Sequence, residues 1–343
     1  MSERILLTGH NGYIGSVMLP ILLANGYDVV GLDIGYYNEC LLTPRNSDLV
    51  SVRKDIRDLT ASDLDGFDAV IHLAALSNDP VGSINILWTE QINYQSSVRL
   101  AQLAKNAGVK RFLFSSSCIM YGMSQVAVVT EESPLDPKTE YARSKVRSEH
   151  AIAGLADDSF SPTSLRNGTV YGLSPHMRFD TVLNNLVGMA VTAERIVLHG
   201  DGTPWRPVIH VLDVSRAFLH VLKAPIEVVH NQAFNNGADN MNYQIIELAG
   251  IVRELVPGCE LECLNSQDAD QRTYKTDFTK FSRAFPEFKF QWSAKQGAGQ
   301  LIAVLNAMGL KHHDFIDKRY TRIKWLTYLL ETGRLDDSLR WHN

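Results

Sequence analysis

Through the first half of this chain, short aliphatic runs alternate with stretches of helical periodicity, and that rhythm restricts the fold more than any other feature. RILLTG (4–9) precedes a helical pattern from Gly15 to Ala24 that stops at Asn25-Gly26, and DVVGLD (28–33) reads as the next strand. LVSVRKD (49–55), DAVIHLA (68–74), KRFLFSS (110–116) and SLRNGTV (164–170) repeat the strand pattern. Helical patterns over 85–106 and around EYARSKVRSEH (140–150) lie between them. Near-continuous apolar strands joined by helical crossovers pair in parallel and are covered on both faces. The fold class that follows is α/β, a doubly wound parallel sheet.

After residue 172 the connections lengthen and the alternation loses regularity. PVIHV (207–211), QAFNN (232–236) and ELECL (260–264) read as short strands among helices over 242–255 and 295–308. The 343 residues thus divide into a sheet domain over 1–172, to which part of 207–235 returns, a smaller α/β substrate-binding lobe over 173–310, and a C-terminal helical extension over 311–343. RIKWLTYLLETG (322–333) is rich in Trp, Leu and Tyr, and is read as packing on the body or on a partner subunit.

Apolar residues make up 45% of the chain, enough for real cores. With 33 basic against 38 acidic residues and no basic stripe, a nucleic-acid partner is not expected. No uncharged apolar run reaches membrane-spanning length, and MSER leads directly into a strand, so neither a membrane partner nor a signal peptide is expected and the location implied is cytoplasmic. Cys40, Cys118, Cys259 and Cys263 lack paired metal-ligand spacing and read as reduced, mostly packed thiols with no metal.

Gly9, Gly12 and Gly15 stand as TGxxGxxG directly after the first strand and at the opening of the first helix. Without Cβ atoms the turn can be tight, the backbone can approach a pyrophosphate and the helix can pack closely on the strand, while the helix N-terminus offers N–H donors to the anion. Asp33 ends the second strand where an acid accepts hydrogen bonds from the ribose hydroxyls of a dinucleotide. A carboxylate there repels a 2′-phosphate, and Ile34-Gly35-Tyr36-Tyr37 supplies no cation to hold one, which favours NAD over NADP. The bland alternatives are a structural tight turn and an ordinary strand-end cap.

FLFSSSCIMYG (112–122) leaves the fifth strand with three hydroxyls, and Tyr141 and Lys145 follow in YARSK on a helix. Residues four apart share a helical face, so the ammonium can favour the ionised phenol. A phenol titrates near 10, and working near pH 7 requires roughly 4 kcal/mol of phenolate stabilisation. A second YxxxK, Tyr320 and Lys324, has no strand-end serine before it and reads as a solvated helix face with an aromatic anchor.

With these motifs on the page, the chain resembles an extended short-chain dehydrogenase/reductase of the Rossmann type, in the NAD-dependent nucleotide-sugar epimerase and dehydratase group (UDP-galactose 4-epimerase-like), over nearly all of 4–310. TGHNGYIG (8–15), with Asn11, Tyr13 and Ile14, is similar to the cofactor loop, and Asp55 and Ile56 in KDIRD to the segment flanking the adenine. HLAAL (72–76), with Leu73, Ala74 and Ala75, is similar to the strand end lining the pyrophosphate, and Asn93 to a helix residue near the cofactor. Tyr121-Gly122 and the serines resemble SSxxVYG, which puts Ser117 on the substrate-hydroxyl position and makes Tyr141 the base with Lys145 its electrostatic partner. RPVIHVLDVSRAF (206–218) is similar to a segment opening with a diphosphate-binding arginine, here Arg206. The substrate set implied is Ser77, Ser116, Cys118, Asn167, Thr169, Arg206 and Arg272.

The resemblance implies NAD as cofactor, a nucleotide-sugar substrate, a homodimer, and oxidation of a sugar hydroxyl, at C4, followed by re-reduction on the other face. Departures narrow the choice. Cys118 and Ile119 stand where 4,6-dehydratases carry an Asp-Glu pair. Cys118 and His176 fall out of register with the acid–base pair of bifunctional epimerase/reductases. Thr169 replaces a common Asn, and Gln267-Asp268-Ala269-Asp270 replaces an RxGD element, leaving Arg272 as the nearest cation. An epimerase leads, with a nucleotide-4-ketosugar reductase, a 4,6-dehydratase and a cofactor-sensing regulator as the other readings.

Overall fold

Twelve strands occur among the described residues of the computed structural model, which are 2–43, 50–77, 84–124, 126–264 and 272–342. In chain order they are β1 (Arg4–Thr8), β2 (Asp28–Asp33), β3 (Ser51–Arg53), β4 (Ala69–His72), β5 (Arg111–Ser117), β6 (Ser161–Asn167), β7 (Thr169–Tyr171), β8 (Arg195–His199), β9 (Trp205–His210), β10 (Gln232–Asn236), β11 (Asn242–Gln244) and β12 (Glu260–Leu264). Seven of them form one sheet in the order β10-β6-β5-β4-β1-β2-β3, every neighbouring pair parallel. The doubly wound order read from the sequence is therefore present, with β10 added beyond β6. Residue 49 of the 49–55 strand and residues 267–270 lie outside the described residues.

Period-two alternation buries both faces of this sheet, which is why its strands read as unbroken apolar runs. Leu6, Val30, Val70 and Phe112 face one core with Leu100 and Trp88. Ile5, Leu7, Val29, Ile71 and Leu113 face the other with Leu19, Phe218 and Phe234. Each such side chain contributes roughly 1.5–3 kcal/mol on burial, so a register slip of one residue is strongly resisted.

Among the helices that cover the sheet are α1 (Gly15–Ala24), α2 and α3 (Glu140–Ala153). α2 is assembled from Ile86–Trp88, a π-helical stretch Thr89–Gln95, and Ser96–Asn106. α4 (Val182–Ala193), α5 (Val211–Lys223), α6 (Ile245–Leu255), α7 (Ala294–Ala307) and α8 (Arg322–Glu331) follow.

Two local readings need correction. The run SLRNGTV is two strands in two sheets: β6 ends at Asn167, and after Gly168 the chain enters β7, which pairs with β9. The 242–255 segment opens as strand β11, antiparallel to β9, before turning helical at Ile245. The less regular stretch after residue 172 also holds two elements without a clear sequence pattern, α4 and β8. β8 pairs in parallel with β12, and the leucines of α4, α6 and α7 pack with Ile196 and Val208 into a separate core.

The C-terminal segment packs on the body. Trp325, Leu326, Leu329, Leu335 and Leu339 join the core that contains Leu6 and Trp88. Trp325 Nε1 donates to the Tyr36 carbonyl at 2.7 Å, and Trp88 Nε1 to the Asp337 carbonyl at 2.8 Å. Tyr320 is buried against Phe179, whereas Lys324 is exposed, so the second YxxxK is a helix face with an anchor. No described helix is long and apolar enough to cross a membrane.

Candidate active site

A cavity of about 810 Å³ opens over the C-terminal ends of the parallel strands. One wall is the glycine turn between β1 and α1. Gly9 has φ +74°, and a Cβ there would stand 2.8 Å from the Ala74 nitrogen; a Cβ on Gly15 would stand 2.2 Å from the Gly9 carbonyl oxygen. Neither position admits a side chain, which is the packing reason for glycine at both. α1 begins with no side-chain cap and no acid in its first turn; the Ser16, Val17 and Met18 N–H groups bond to the Gly12 and Ile14 carbonyls, and the positive end of the helix dipole faces the cavity with no carboxylate of its own helix to offset it.

Asp33 closes this wall. Its carboxylate accepts the Asn11 N–H at 3.1 Å and the Gly35 N–H at 2.8 Å, which holds it at the cavity edge. Asp55 and Ile56 line the same end, with Asp55 tied to Arg57 at 2.6 Å. Leu73, Ala74, Ala75 and Ser77 line it beside the glycine turn. Asn93 does not reach the cavity surface. Its Nδ2 donates to the Leu76 carbonyl at 3.0 Å and its Oδ1 accepts the Leu76 N–H at 2.8 Å, so it fixes the strand end rather than lining the pocket.

The opposite wall carries the hydroxyls. Ser115, Ser116, Ser117, Ile119, Tyr141, Asn167 and Thr169 all line the cavity. The buried Ser116 Oγ has no hydrogen-bond partner among the described residues, while Ser117 Oγ accepts the Ile119 N–H at 3.3 Å. Asn167 Nδ2 donates to Ser115 Oγ at 3.0 Å and its Oδ1 accepts from Asn236 at 2.8 Å, so β5, β6 and β10 are cross-linked beneath the site.

Lys145 lies behind this wall. It is 4% exposed, donates to the Ser115 carbonyl at 2.7 Å, and sits 5.8 Å from the Tyr141 ring centroid. Burial pulls its ammonium down to about 7, with Glu149 one turn further along α3 opposing the shift. Glu149 is in turn paired at 2.5 Å with Arg166, whose Nη1 donates to the Tyr121 hydroxyl at 2.8 Å. This buried network anchors α3, and with it Tyr141, to the sheet.

Cys118 is not part of the site. It is 1% exposed, its thiol donates to the Arg166 carbonyl at 3.1 Å, and it packs with Tyr121, Val129 and Tyr274. The short 3₁₀ turn over Cys118–Tyr121 aims the sulfur away from the cavity, and burial pushes the thiol up to about 12. A substrate-binding Cys118 is thereby corrected to a packed thiol.

Further out, Arg206 and Arg272 line the cavity with Asn185, His199 and Gly200. Arg206 Nη1 donates to the carbonyls of Trp205 and Arg272, tying the 272–274 strip to β9. Sequence reasoning missed a cluster at the other end. Arg178, Asp180, Tyr36, Tyr37 and Arg322 also line the cavity, with Arg178 Nε 2.6 Å from the Asp180 carboxylate. Nothing local in their sequence marks them, because Arg322 arrives from the C-terminal segment.

Residues 5–237 match the NAD dependent epimerase/dehydratase family. The chain belongs to that family. It is an NAD-dependent sugar-modifying enzyme of the extended short-chain dehydrogenase/reductase type. It is 29% identical to a UDP-glucose 4-epimerase of Corynebacterium glutamicum, over 74% of this chain and 80% of the relative. It is 26% identical to a dTDP-D-glucose 4,6-dehydratase of Homo sapiens, over 74% of each chain. A dTDP-glucose 4,6-dehydratase of Streptomyces venezuelae, solved with NAD bound, superposes with a TM-score of 0.77 at 26% identity, covering 90% of this chain and 99% of that one.

The residues present fit a dinucleotide. The uncapped start of α1, the Cβ-free approach at Gly9 and Gly15, and a carboxylate held at the end of β2 stand along one wall, facing the serines and Tyr141 across the cavity.

Proposed function

We propose that this family member is an NAD-dependent nucleotide-sugar epimerase acting at the sugar C4. The observation that carries the reading is the composition of the wall around Tyr141: a phenol, three serines and the apolar Ile119, with Lys145 buried behind them. On this reading Tyr141 Oη takes the proton of a sugar hydroxyl held by Ser117 and returns it to the ketone oxygen after the sugar has turned over. Bound NAD supplies the hydride acceptor and, in the return step, the donor. Lys145 supplies positive charge close to the phenolate, and the network through Glu149, Arg166 and Tyr121 keeps α3 from shifting as that charge develops.

Elimination of water across C5–C6 needs a carboxylic acid and a base beside the sugar. At positions 118 and 119 the chain presents a thiol turned to the Arg166 carbonyl and an isoleucine, which argues against dehydration. Arg206 and Arg272, at the end of the cavity away from the glycine turn, are assigned to the nucleotide diphosphate. The seven-stranded sheet then forms the cofactor half, and the lobe built on α4, α6 and α7 the nucleotide-sugar half.

The test is to incubate purified protein with UDP-, dTDP-, GDP- and CDP-sugars, following isomer composition and the absorbance of reduced nicotinamide. Isomerisation with no added cofactor supports the epimerase. Stoichiometric oxidation of added NAD(P)H with a 4-ketosugar, or release of water to give a 4-keto-6-deoxy product, replaces it.

A further inference from the structure

The C-terminal segment brings to the cavity a positive charge that the protein leaves incompletely paired. Arg322, first residue of α8, is 3% exposed and lines the cavity. Its Nη2 donates to the His176 carbonyl at 3.1 Å, and its guanidinium lies 4.1 Å from the Tyr37 ring centroid. Its Nη1 is buried with no hydrogen-bond partner among the described residues. A charged donor left unmet in the interior carries its full desolvation cost, so such an atom at a cavity wall marks the place of an absent acceptor.

The surroundings say what kind of acceptor. Arg178 is buried beside Arg322, and between them stands Asp180, whose carboxylate takes the Arg178 Nε at 2.6 Å and the Arg322 backbone N–H at 3.1 Å. Two guanidinium groups thus gather around one carboxylate. Burial pulls Arg322 below its ordinary value, while at Arg178 the same burial is outweighed by Asp180. An added anion balances the charge, and fork-shaped donors suit a phosphate.

The position says which phosphate. Arg178 Nη1 donates to Ser77 Oγ at 3.2 Å, just beyond the end of β4. Asn184 Nδ2 bridges the Arg178 carbonyl at 3.0 Å and the hydroxyl of Tyr13 at 2.9 Å, and Tyr13 belongs to the glycine turn. Arg206 and Arg272 instead group with Trp205 and Tyr274 at β9.

We infer that Arg178 and Arg322 form an anion site over the pyrophosphate of the dinucleotide, opposite the N-terminus of α1, so that the C-terminal extension is a working part of the cofactor site. This rests on the reading that a dinucleotide occupies the cavity. Arg178 lies within the 5–237 stretch that matches the family, whereas Arg322 comes from the C-terminal segment beyond it.

The diphosphate of a nucleotide sugar offers the same chemistry, and the experiment separates the two. NAD and UDP are titrated calorimetrically into full-length wild type, Arg322→Met, Arg322→Lys and Arg178→Met, and the melting temperature of each is recorded with and without saturating NAD. Arg322→Met and Arg178→Met are expected to weaken NAD about tenfold or more while UDP affinity stays within about twofold, and Arg322→Lys to recover part of the loss. If Arg322→Met does not fold, Arg178→Met and Arg322→Lys carry the same comparison. Wild-type NAD affinity in these variants, or a loss confined to UDP, overturns the clamp. Wild type that fails to bind NAD at all overturns the underlying cofactor reading instead.

Discussion

Lys145 Nζ donates to the carbonyl oxygen of Ser115 across 2.7 Å, so the cation of the site is tied to the backbone of the strand that carries the serines. Burial holds that ammonium to about 7. In the proposed mechanism the Tyr141–Lys145 pair must lose one proton before it can accept one from substrate, and the proton most easily lost is on Lys145. Ionised phenol with ammonium, and neutral phenol with amine, hold the same number of protons, so the pair titrates as a unit. The expected kcat/KM therefore rises through about pH 7 and then levels. In Lys145→Met the first proton has to leave the phenol, so the acid limb should move up toward the ordinary phenol value near 10. A pH–rate profile checks this, and an unmoved limb removes Lys145 from the pair.

Tyr141 lines the cavity on the wall across from the glycine turn, which separates the proposed base from the dinucleotide's phosphate-holding groups. Tyr141→Phe is expected to lower turnover about a thousandfold, the scale of a lost general base, with NAD affinity changed little. Turnover and calorimetric NAD binding are measured on the same preparation. Retained turnover would assign the base elsewhere.

Asp33 is held by the Asn11 and Gly35 amides in the place proposed for ribose recognition. Replacing it with serine removes the charge that repels a 2′-phosphate, and the ratio of NAD to NADP affinity should narrow by about tenfold. An unchanged ratio would make Asp33 a strand cap that merely organises the turn.

The parts of this enzyme that were legible in the sequence are those encoded over short distances. β1, the glycine turn, α1 and β2 form one continuous segment with its strand, turn and cap signals intact. Ser117 and the Tyr141–Lys145 pair follow from a strand end and a helical spacing of four. Misreadings arose where a local pattern spans a change of partner. SLRNGTV keeps strand character throughout, yet only pairing shows that Asn167 belongs with Ser117 and Thr169 with Val208. Cys118 adjoins Ser117, yet the 3₁₀ turn sends its sulfur into the Tyr121 cluster. Arg322 has no local signature for the site, since its placement depends on the Phe179 N–H donating to the Tyr320 carbonyl at 2.9 Å across the fold.

Buried imidazoles set the acid limit of stability. His72 sits on β4 with Nδ1 2.7 Å from Thr8 Oγ1 and Nε2 2.8 Å from Ser97 Oγ, and desolvation lowers its pKa to about 3, with Lys145 adding to the effect. His210, stacked on Trp292 with ring centroids 4.2 Å apart, is lowered to about 4 by burial against an opposing hydrogen bond to Gln300 Oε1. Both fold neutral. From the ordinary value near 6.5 down to about 3, the unfolded chain binds more protons than the folded one, so stability falls as pH drops through that window and is fully present above it. For His72 alone the loss is on the order of several kcal/mol at the bottom of the window. Urea unfolding of wild type and His72→Gln at pH 7.5, 6 and 5 reads the effect directly. The variant should start less stable at the highest of these pH values, having lost the two hydroxyl contacts, yet decline less steeply toward the lowest. Equal slopes would show that His72 carries its proton into the folded state.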